Sequence, residues 1–254
     1  MNKPKYTIDT LLSHFETGEK LTFLFFWGHT NNSQDAVGKQ CLSQWYNAGF
    51  YVDSIHYKTA EHWMMAQKAA LFNEPDLFNE IVNTDSAKKV KALGRQIKHF
   101  SSDIWDAHKY KIVVDGNTHK FTQNPELFDF LKQTDRAYLI EASPNDAIWG
   151  IGIAENNEDI DNPYLWPGQN LLGFALMEVR EQLNKMAYAK ALDNPMLPPW
   201  QMSPGIEQAD LFWRMGKGEE YLNTFISWYD TLNATDQQIY KITYPEQARW
   251  TIYS

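Results

Sequence analysis

The sequence predicts a predominantly α-helical domain of the α+β class with a few short strands, followed by a helical C-terminal extension. Apolar residues recur at helical spacing in successive segments through the middle of the chain. Two short aromatic and apolar runs, residues 21–28 and 137–143, have the length and composition of strands. The proline-rich run "DNPMLPPWQMSPG" then separates a main domain, residues 1–186, from an extension, residues 187–254.

The predicted strands are short and apolar. "LTFLFFWG", residues 21–28, ends in glycine and predicts a buried strand. The segment 41–57 alternates aromatic and polar residues, which predicts a strand or an irregular hairpin. "AYLIEAS" and "WGIGIA", residues 137–143 and 149–154, are further segments of strand type.

Capping residues and prolines mark the starts of the predicted helices. Ser, Thr, Asp and Asn side chains accept hydrogen bonds from the free N–H groups of a first turn, and proline suits the first helical position. In chain order the predicted helices are 7–16 with Thr7 or Asp9 as the cap, 60–72 after Thr59, one from Pro75, one capped by Asp85 or Ser86, one from about Asp103 with a potential break at Gly116, one from Pro125, and 168–183.

The extension is expected to be ordered and mostly helical. Its central segment predicts two short helices that are broken at residues 216–218. Because exposed apolar patches are rare on soluble monomers, we expect its aromatic residues to pack on the main domain. The alternative is a protein-docking surface, for which the extension offers four tryptophans: Trp200, Trp213, Trp228 and Trp250.

Composition and charge restrict the function classes. The chain has 254 residues, of which 43% are hydrophobic and 15% aromatic, and this supports a substantial core. Its formal charge of −9 argues against a broad basic surface for nucleic acid. A single cysteine, Cys41, rules out an internal disulfide framework. No run is long and apolar enough for a signal peptide or a membrane span, so we expect a cytoplasmic protein without a membrane partner.

Motifs for metals and phosphate loops do not occur. The seven histidines show no HExxH or other metal spacing. The chain has no GxxxxGK or GxGxxG loop and no GxSxG elbow. We therefore predict no metal site and require no cofactor.

The helix "AEHWMMAQKA", residues 60–69, has a charged residue near each end. Glu61 and Lys68 are seven residues apart, almost two helical turns, and so share a face. Their axial separation of about 10 Å excludes a direct i,i+4 salt bridge and suits the two ends of a small-molecule pocket. By spacing alone, a partly exposed helix with unrelated charges is favoured over the pocket.

Two motifs suit an anionic or hydroxylated ligand. Arg95 follows Gly94 in "LGRQIKHF", and the forked donors of a guanidinium match phosphate oxygens. "WPGQNLLG" places Gly168 and Asn170 at a helix start, where free N–H groups suit an anion or a ribose hydroxyl. A surface arginine and simple helix capping are the structural alternatives.

The stretch "IEASPNDAIWGIGIA" is the most unusual. Glu141 and Asp146 bracket a turn that precedes Trp149. Carboxylates there suit cleavage of a sugar–nitrogen bond, because one can stabilise positive charge at the anomeric carbon while another group manages the proton on the leaving nitrogen. The face of Trp149 can stack on a nucleobase-like ring. Asp146 as a turn cap and Trp149 as a core residue fit the pattern equally well.

Taken in order along the chain, these motifs resemble the NADAR family, also called YbiA-like. The resemblance covers residues 21–184 and rests on "FLFFWG", "LSQWY", "TAEHWMMAQKAALF", "AKKVKALGR", "LIEASPNDAIWGIGI" and "WPGQNLLGFALMEVREQL". It implies a mostly helical fold and a hydrolase, an N-glycosidase that acts on ribose-linked amino-pyrimidines or guanine adducts. One branch of the family cleaves phosphoribosylamino intermediates of riboflavin synthesis. Another removes ADP-ribose from guanine bases, free or in nucleic acid.

The resemblance also implies roles for individual residues. The reactive lysine of the family falls on Lys68, its helix glutamate on Glu61 and its acidic loop residue on Asp146. "LSQWY" departs from the "LSNF" of many relatives, so Gln44 and Trp45 would influence which base or sugar fits. The implied substrate-binding residues are Trp149, Trp105, Arg95, Asn170, Gly150, Trp45 and Ser43.

These residues support a hypothesis in which Lys68 forms a Schiff base with the sugar and expels the amino-base. Lys68 must be neutral when it attacks, and burial among Met and Trp side chains would favour the neutral amine. Glu61 or Asp146 would shuttle protons or bind ribose hydroxyls. The alternative is a non-catalytic module that binds ADP-ribose or a related nucleotide, with Lys68 and Asp146 serving only as ligands.

Overall fold

A computed structural model describes residues 4–29, 37–190, 195–244, 246–247 and 249–252. The chain divides into two compact units, Met1–Glu181 and Gln182–Ser254. Within the described residues, no helix is both long and apolar enough to cross a membrane.

Helices are the main regular elements of the first unit, and short strands accompany them, which confirms the predicted α+β class. The helices are α1 (Ile8–Glu16), α2 (Ala60–Leu71), α3 (Pro75–Asn83), α4 (Ala87–Leu93), α5 (Ser102–Gln123), α6 (Pro125–Gln133) and the first part of α7 (Leu171–Lys190), which continues past Glu181 into the second unit. The strands are β1 (Phe23–Phe26), β2 (Phe50–Val52), β3 (Ile55–Tyr57) and β4 (Tyr138–Glu141).

The helix starts follow from local capping chemistry. Thr7, Thr59 and Ser86 each accept a hydrogen bond from the N–H group three residues later, as an N-cap side chain does. Pro75 and Pro125 occupy the first helical position, where the missing N–H group costs nothing. The caps at Thr7, Thr59 and Ser86 are therefore confirmed.

The strands form two separate pairs. β1 pairs in parallel with β4, which sets Phe23 opposite Tyr138 and Phe26 opposite Glu141. β2 and β3 form an antiparallel hairpin. Of the strand or irregular hairpin predicted over residues 41–57, the hairpin is confirmed for residues 50–57, whereas the first half is a 3-10 turn at Lys39–Leu42 followed by irregular chain.

Helix α2 is embedded in the first unit, where it contacts α3, α4 and α5. Every residue from Ala60 to Ala66 is buried, as is Ala69. The first two turns of α2 therefore have no solvent-facing side, and the polar side chain of Glu61 lies inside the unit. Such burial requires a partner or a cavity, because an isolated ionised carboxylate is costly in an apolar environment.

The break predicted at Gly116 is wrong, because α5 runs unbroken from Ser102 to Gln123. Gly116 is instead a site of close packing, since a Cβ atom there would lie 2.2 Å from Trp63 Cδ1. The indole N–H of Trp63 also donates to Ile112 O at 2.8 Å, so the ring lies directly on the α5 backbone. The glycine permits this approach without ending the helix.

The strand predicted over residues 149–154 is also wrong, since this segment is a series of bends. Its backbone bonds run to two different elements. Ile151 N–H donates to Glu141 O, while Ile151 O accepts from Gly168 N–H, both at 2.9 Å. Ile151 is fully buried, so the apolar character that resembled a strand arises from burial of an irregular loop.

The second unit is helical, with α8 (Pro199–Met202), α9 (Gly216–Thr231) and α10 (Ala234–Thr243). The two predicted helical segments are present, as a 3-10 turn at Leu211–Arg214 and α9, but the break between them lies at Met215, and residues 216–218 form the first turn of α9. Aromatic residues form the core of this unit. They are Trp200, Trp213, Phe225, Tyr229, Tyr240 and Trp250.

Candidate active site

A cavity of about 260 Å³ lies between α2, the segment before α5, and the loop after β4. Its lining mixes aromatic and aliphatic side chains with several ionisable groups, as small-molecule sites commonly do. The lining residues are Gln44, Trp45, Glu61, Met64, Met65, Lys68, Lys91, Gly94, Arg95, Trp105, Glu141, Asp146, Ile148, Trp149 and Leu172.

Lys68 lies at the C-terminal end of the α2 wall. Its ammonium group donates to Gly94 O at 3.0 Å and lies 4.4 Å from the ring centroid of Phe100 and 5.3 Å from that of Trp105. Burial lowers the pKa of Lys68 from its ordinary value, and the negative charge of Glu61 opposes part of this shift. A larger fraction of this amine is therefore neutral and nucleophilic at a given pH than for a solvated lysine.

Glu61 lies at the opposite end of the same helix face and is only 3% exposed. Its backbone N–H donates to Gln44 O at 2.9 Å. Burial raises the pKa of Glu61 to about 7, with a further contribution from Asp146, while Lys91 and Lys68 act in the opposite direction. Its carboxyl group is thus suited to both accept and release a proton near neutral pH.

The last residue of β4 and the loop that follows it supply two more carboxyl groups, Glu141 and Asp146. Burial raises the pKa of Glu141 to about 8, and the nearby Asp146 and Glu61 contribute to the shift. Glu141 Oε2 is buried, and no donor in the described part of the chain bonds to it. Asp146 differs, because its Oδ1 accepts from the backbone N–H groups of Ile148 at 2.9 Å and Trp149 at 2.8 Å.

The carboxyl-bearing loop is fixed by close backbone contacts. A Cβ atom on Gly168 would lie 2.2 Å from Gly150 O, so only glycine allows the two chains to approach. Asn170, at φ 53°, is completely buried. Its Oδ1 accepts from Glu141 N–H and its Nδ2 donates to Leu139 O, both at 2.9 Å. These bonds hold the end of β4, and therefore Glu141, in place.

The predicted site residues divide into two groups. Seven line the cavity: Lys68, Glu61, Asp146, Trp149, Trp105, Arg95 and Trp45. The other three lie outside its lining. Gly150 and Asn170 belong to the backbone support of the loop, and Ser43 O accepts from the buried Lys120 ammonium group at 2.9 Å.

The structure adds residues that the predicted site set omitted. Glu141 was visible in the sequence as one of two carboxylates bracketing a turn, and Gln44 was visible as a departure from a family motif. Lys91 also lines the cavity, and its ammonium group lies 5.8 Å from the ring centroid of Trp45. Among the residues that the structure describes, no group of three or more His, Cys, Asp and Glu side chains is arranged to hold a metal ion.

Three related proteins resemble the chain in sequence. N-glycosidase R617 of Acanthamoeba polyphaga mimivirus is 40% identical over 165 residues, which cover 63% of this chain and 95% of the relative. N-glycosidase YbiA of Escherichia coli strain K12 is 33% identical over 132 residues, which cover 52% of this chain and 74% of the relative. Riboflavin biosynthesis protein VVA0006 of Vibrio vulnificus is 27% identical over 175 residues, covering 66% of this chain and 44% of the relative.

The fold has a solved counterpart as well. The NMR structure of E. coli YbiA matches with a TM-score of 0.52 and 26% identity, covering 69% of this chain and 91% of that one. The profile of the NADAR domain matches residues 25–184, which include every cavity-lining residue. The chain therefore belongs to the NADAR domain family.

Proposed function

We propose that this protein is an N-glycosidase that hydrolyses the bond between C1 of a ribose and an amino nitrogen of a pyrimidine or guanine base. The observation that supports this most is the position of Lys68. Its pKa is lowered by burial, and it lines the same cavity as Glu61, Glu141 and Asp146. The two relatives named N-glycosidases support the same activity.

Lys68 is the proposed nucleophile. The bond between C1 and the ring oxygen breaks, the ring oxygen takes a proton and becomes a hydroxyl group, and C1 forms a protonated imine with the base nitrogen. The Lys68 amine adds to C1 and forms a carbon bearing two nitrogens. Loss of the base nitrogen with a proton leaves a C1–Lys68 imine, and water then adds to C1 and displaces the lysine. The products are a free amino-base and a sugar with an aldehyde carbon.

The three carboxyl groups take different proton roles in this proposal. Glu141, with a pKa of about 8, holds a proton at neutral pH and gives it to the departing base nitrogen. Glu61, with a pKa of about 7, gives a proton to the ring oxygen as the sugar opens and takes one back when Lys68 attacks. After protonating the base nitrogen, Glu141 takes the proton of the incoming water and returns to its acid form. Asp146, fixed by two N–H donors, supplies negative charge to the cationic imine.

A second cavity supports a position for the phosphate group. It measures about 250 Å³ and adjoins the first at Lys68, Gly94 and Arg95. Arg95 is exposed and shows no ion pair within the described residues, so its guanidinium is available to a phosphate. With C1 at Lys68, the sugar phosphate would reach Arg95, and the base would extend along α2 toward Glu61.

Two substrate classes fit this arrangement. One is a phosphoribosylamino-pyrimidine of the kind formed in riboflavin synthesis, which the name of the Vibrio vulnificus relative supports. The other is ADP-ribosylated guanine, whose second phosphate and adenosine would continue past Arg95. We favour the smaller class, because the two cavities of about 260 and 250 Å³ match a base and a ribose phosphate.

Release of free base from both substrate classes tests the activity directly. Purified protein is incubated with each substrate, and base and sugar products are separated by chromatography. We expect turnover of the phosphoribosylamino-pyrimidine with a higher kcat/KM than for ADP-ribosylated guanosine. Saturable binding of both without base release would instead identify a nucleotide-binding module. A cytoplasmic location stays a prediction, which cell fractionation would test.

A further inference from the structure

The side chain of Gln44 lines the cavity but only half of its amide is bonded. Gln44 is 6% exposed, and its Oε1 accepts from Asn117 Nδ2 at 2.8 Å. Its Nε2 is buried, and no described residue accepts a hydrogen bond from it. A buried N–H₂ group without an acceptor is destabilising, so a donor in this position can gain stability from the oxygen of a ligand or a water molecule.

The orientation of the Gln44 amide is set by its neighbour. Asn117 is fully buried, and its Nδ2 uses one hydrogen for Val113 O at 2.8 Å and the other for Gln44 Oε1. Exchanging oxygen and nitrogen in both amides would bond Gln44 Nε2 to Asn117. That exchange would also set Asn117 Oδ1 at 2.8 Å from Val113 O, two acceptors in contact, which is unfavourable. The free group of Gln44 is therefore the donor.

The backbone around Gln44 is held as firmly as its side chain. The Lys120 ammonium group is fully buried and donates to Cys41 O at 2.6 Å and to Ser43 O at 2.9 Å. Gln44 O in turn accepts from Glu61 N–H at the start of α2. The donor thus sits on a rigid segment, and a preorganised donor loses little entropy when it binds a ligand.

The position of Gln44 indicates which part of the substrate it meets. Through its bond to Glu61 N–H, it lies at the N-terminal end of the α2 wall. Lys68 and Arg95 lie at the other end, about 10 Å further along the helix axis. The next residue, Trp45, adds an aromatic face beside Gln44. In the proposed function, with C1 at Lys68, this end receives the base.

We propose that Gln44 Nε2 donates a hydrogen bond to a carbonyl oxygen on the ring of the leaving base. Gln44 is then a specificity-determining residue, and Asn117 is a positioning residue that acts through it. This inference rests on the proposed function and adds the chemical feature by which the base is selected: a ring oxygen that accepts a hydrogen bond.

Two substrates and two variants test this assignment. The substrates are a ribosylated amino-pyrimidine with a ring carbonyl and an analogue with hydrogen in place of that oxygen. Gln44→Met keeps the side-chain length and removes the donor. Gln44→Glu keeps the shape and the Asn117 bond and replaces the donor with oxygen. Gln133→Met, an exposed residue at the end of α6, is the matched control.

The ratio of kcat/KM values between the two substrates is the readout. We expect the wild-type protein to prefer the carbonyl substrate by roughly 10- to 100-fold, the effect of one buried hydrogen bond. Gln44→Met and Gln44→Glu should reduce this ratio to about 1 to 3 by losing activity on the carbonyl substrate only. Gln133→Met should keep the wild-type ratio. Circular dichroism identifies any variant that has failed to fold. If one Gln44 variant fails to fold, the kcat/KM ratio of the other one tests the proposal.

Asn117→Asp tests the positioning role. A carboxylate oxygen facing Gln44 would repel Oε1 and turn the amide, so that its nitrogen bonds the new carboxylate and its oxygen faces the cavity. The same oxygen would also meet Val113 O, so some loss of activity on both substrates is expected as well. We expect the ratio of kcat/KM values between the two substrates to fall as it does in the Gln44 variants, although residue 117 does not line the cavity. A merely structural role would lower kcat/KM on both substrates equally.

Three results would overturn the proposal or its basis. A wild-type ratio near 1 with good turnover would overturn the Gln44 inference alone. A ratio that both Gln44 variants preserve would do the same. If the wild-type protein released base from neither substrate, the proposed function and this inference would be overturned together.

Discussion

Glu61 and Lys68 lie seven residues apart on the cavity-lining face of α2, and burial shifts the pKa values of both toward neutrality. The pKa of the carboxyl rises to about 7, while that of the amine falls below its ordinary value. Two groups whose pKa values lie close to neutral pH can exchange protons with a substrate there. A carboxyl and an amine with ordinary pKa values do so less readily. In the proposed function, the helix presents an acid–base group and a nucleophile to the two ends of one ligand.

Glu141→Gln tests the proton donor. The raised pKa of Glu141 means that its acid form predominates below about pH 8, so activity that needs this proton should fall as pH rises through about 8. We expect kcat to fall by roughly 100- to 10,000-fold in the variant, the usual contribution of general acid catalysis. The alkaline decline should also disappear from the pH profile of kcat.

The control is Glu158→Gln, which changes an exposed carboxylate on the loop before α7. It should keep wild-type kcat and the wild-type profile. If Glu141→Gln retained both full activity and the alkaline decline, another group would have to donate the proton.

Glu61→Gln should stabilise the fold at alkaline pH. The folded pKa of about 7 exceeds the ordinary value of 4.5, so folding favours the protonated form. This contribution is complete below about pH 4.5 and is lost as pH rises through about 7. Glutamine cannot ionise, so we expect a higher Tm than wild type at pH 8.5 and little difference at pH 4.5.

Glu126→Gln serves as the comparison in this measurement, because Glu126 is exposed on α6. Its Tm should follow wild type at both pH values. A Glu61→Gln protein that was no more stable than wild type at pH 8.5 would show that the buried carboxyl is not held in its acid form.

Arg95→Met should weaken substrate binding without abolishing chemistry. The guanidinium is proposed to bind the sugar phosphate, which is present in both the ground state and the transition state. We expect KM to rise by about 10- to 100-fold and kcat to change little, as for loss of a charge-assisted hydrogen bond. A substrate that lacks the phosphate should show equal KM values with both proteins, and unequal values would argue against phosphate binding by Arg95.

Gly168→Ala should damage the carboxyl-bearing loop. The added methyl group would lie 2.2 Å from Gly150 O, and this backbone contact cannot move without shifting the loop. We expect a loss of about 1–3 kcal/mol in the free energy of unfolding, measured by urea denaturation, together with reduced activity. Gln169→Ala, at the exposed next position, should change neither quantity.

Much of the fold was predictable because helix starts depend on local chemistry. Thr7, Thr59 and Ser86 cap their helices through their own side chains, and a single sequence reveals such residues directly. The wrong predictions concern residues whose structure depends on contacts with parts of the chain that are distant in sequence. Gly116 resembles a helix break, but it is a contact point for Trp63.

The lining of the cavity was predictable in part. Spacing set Lys68 and Glu61 on one face of a helix but favoured unrelated charges, and the family resemblance assigned that face to a pocket. They did not distinguish residues that line the cavity from residues that support it. Asn170 supports the end of β4 through long-range bonds to the backbone of Leu139 and Glu141, and such bonds leave no local pattern in the sequence.

Reductive trapping of the intermediate tests the central claim most directly. Borohydride, added during turnover, would reduce a C1–Lys68 imine to a stable secondary amine, which mass spectrometry of proteolytic peptides can locate. Lys91→Ala provides a matched control, because Lys91 also lines the cavity. We expect one sugar adduct on Lys68 in the wild-type and Lys91→Ala proteins. In Lys68→Ala we expect neither a sugar adduct nor base release. An adduct on another residue, or full base release by Lys68→Ala, would contradict it.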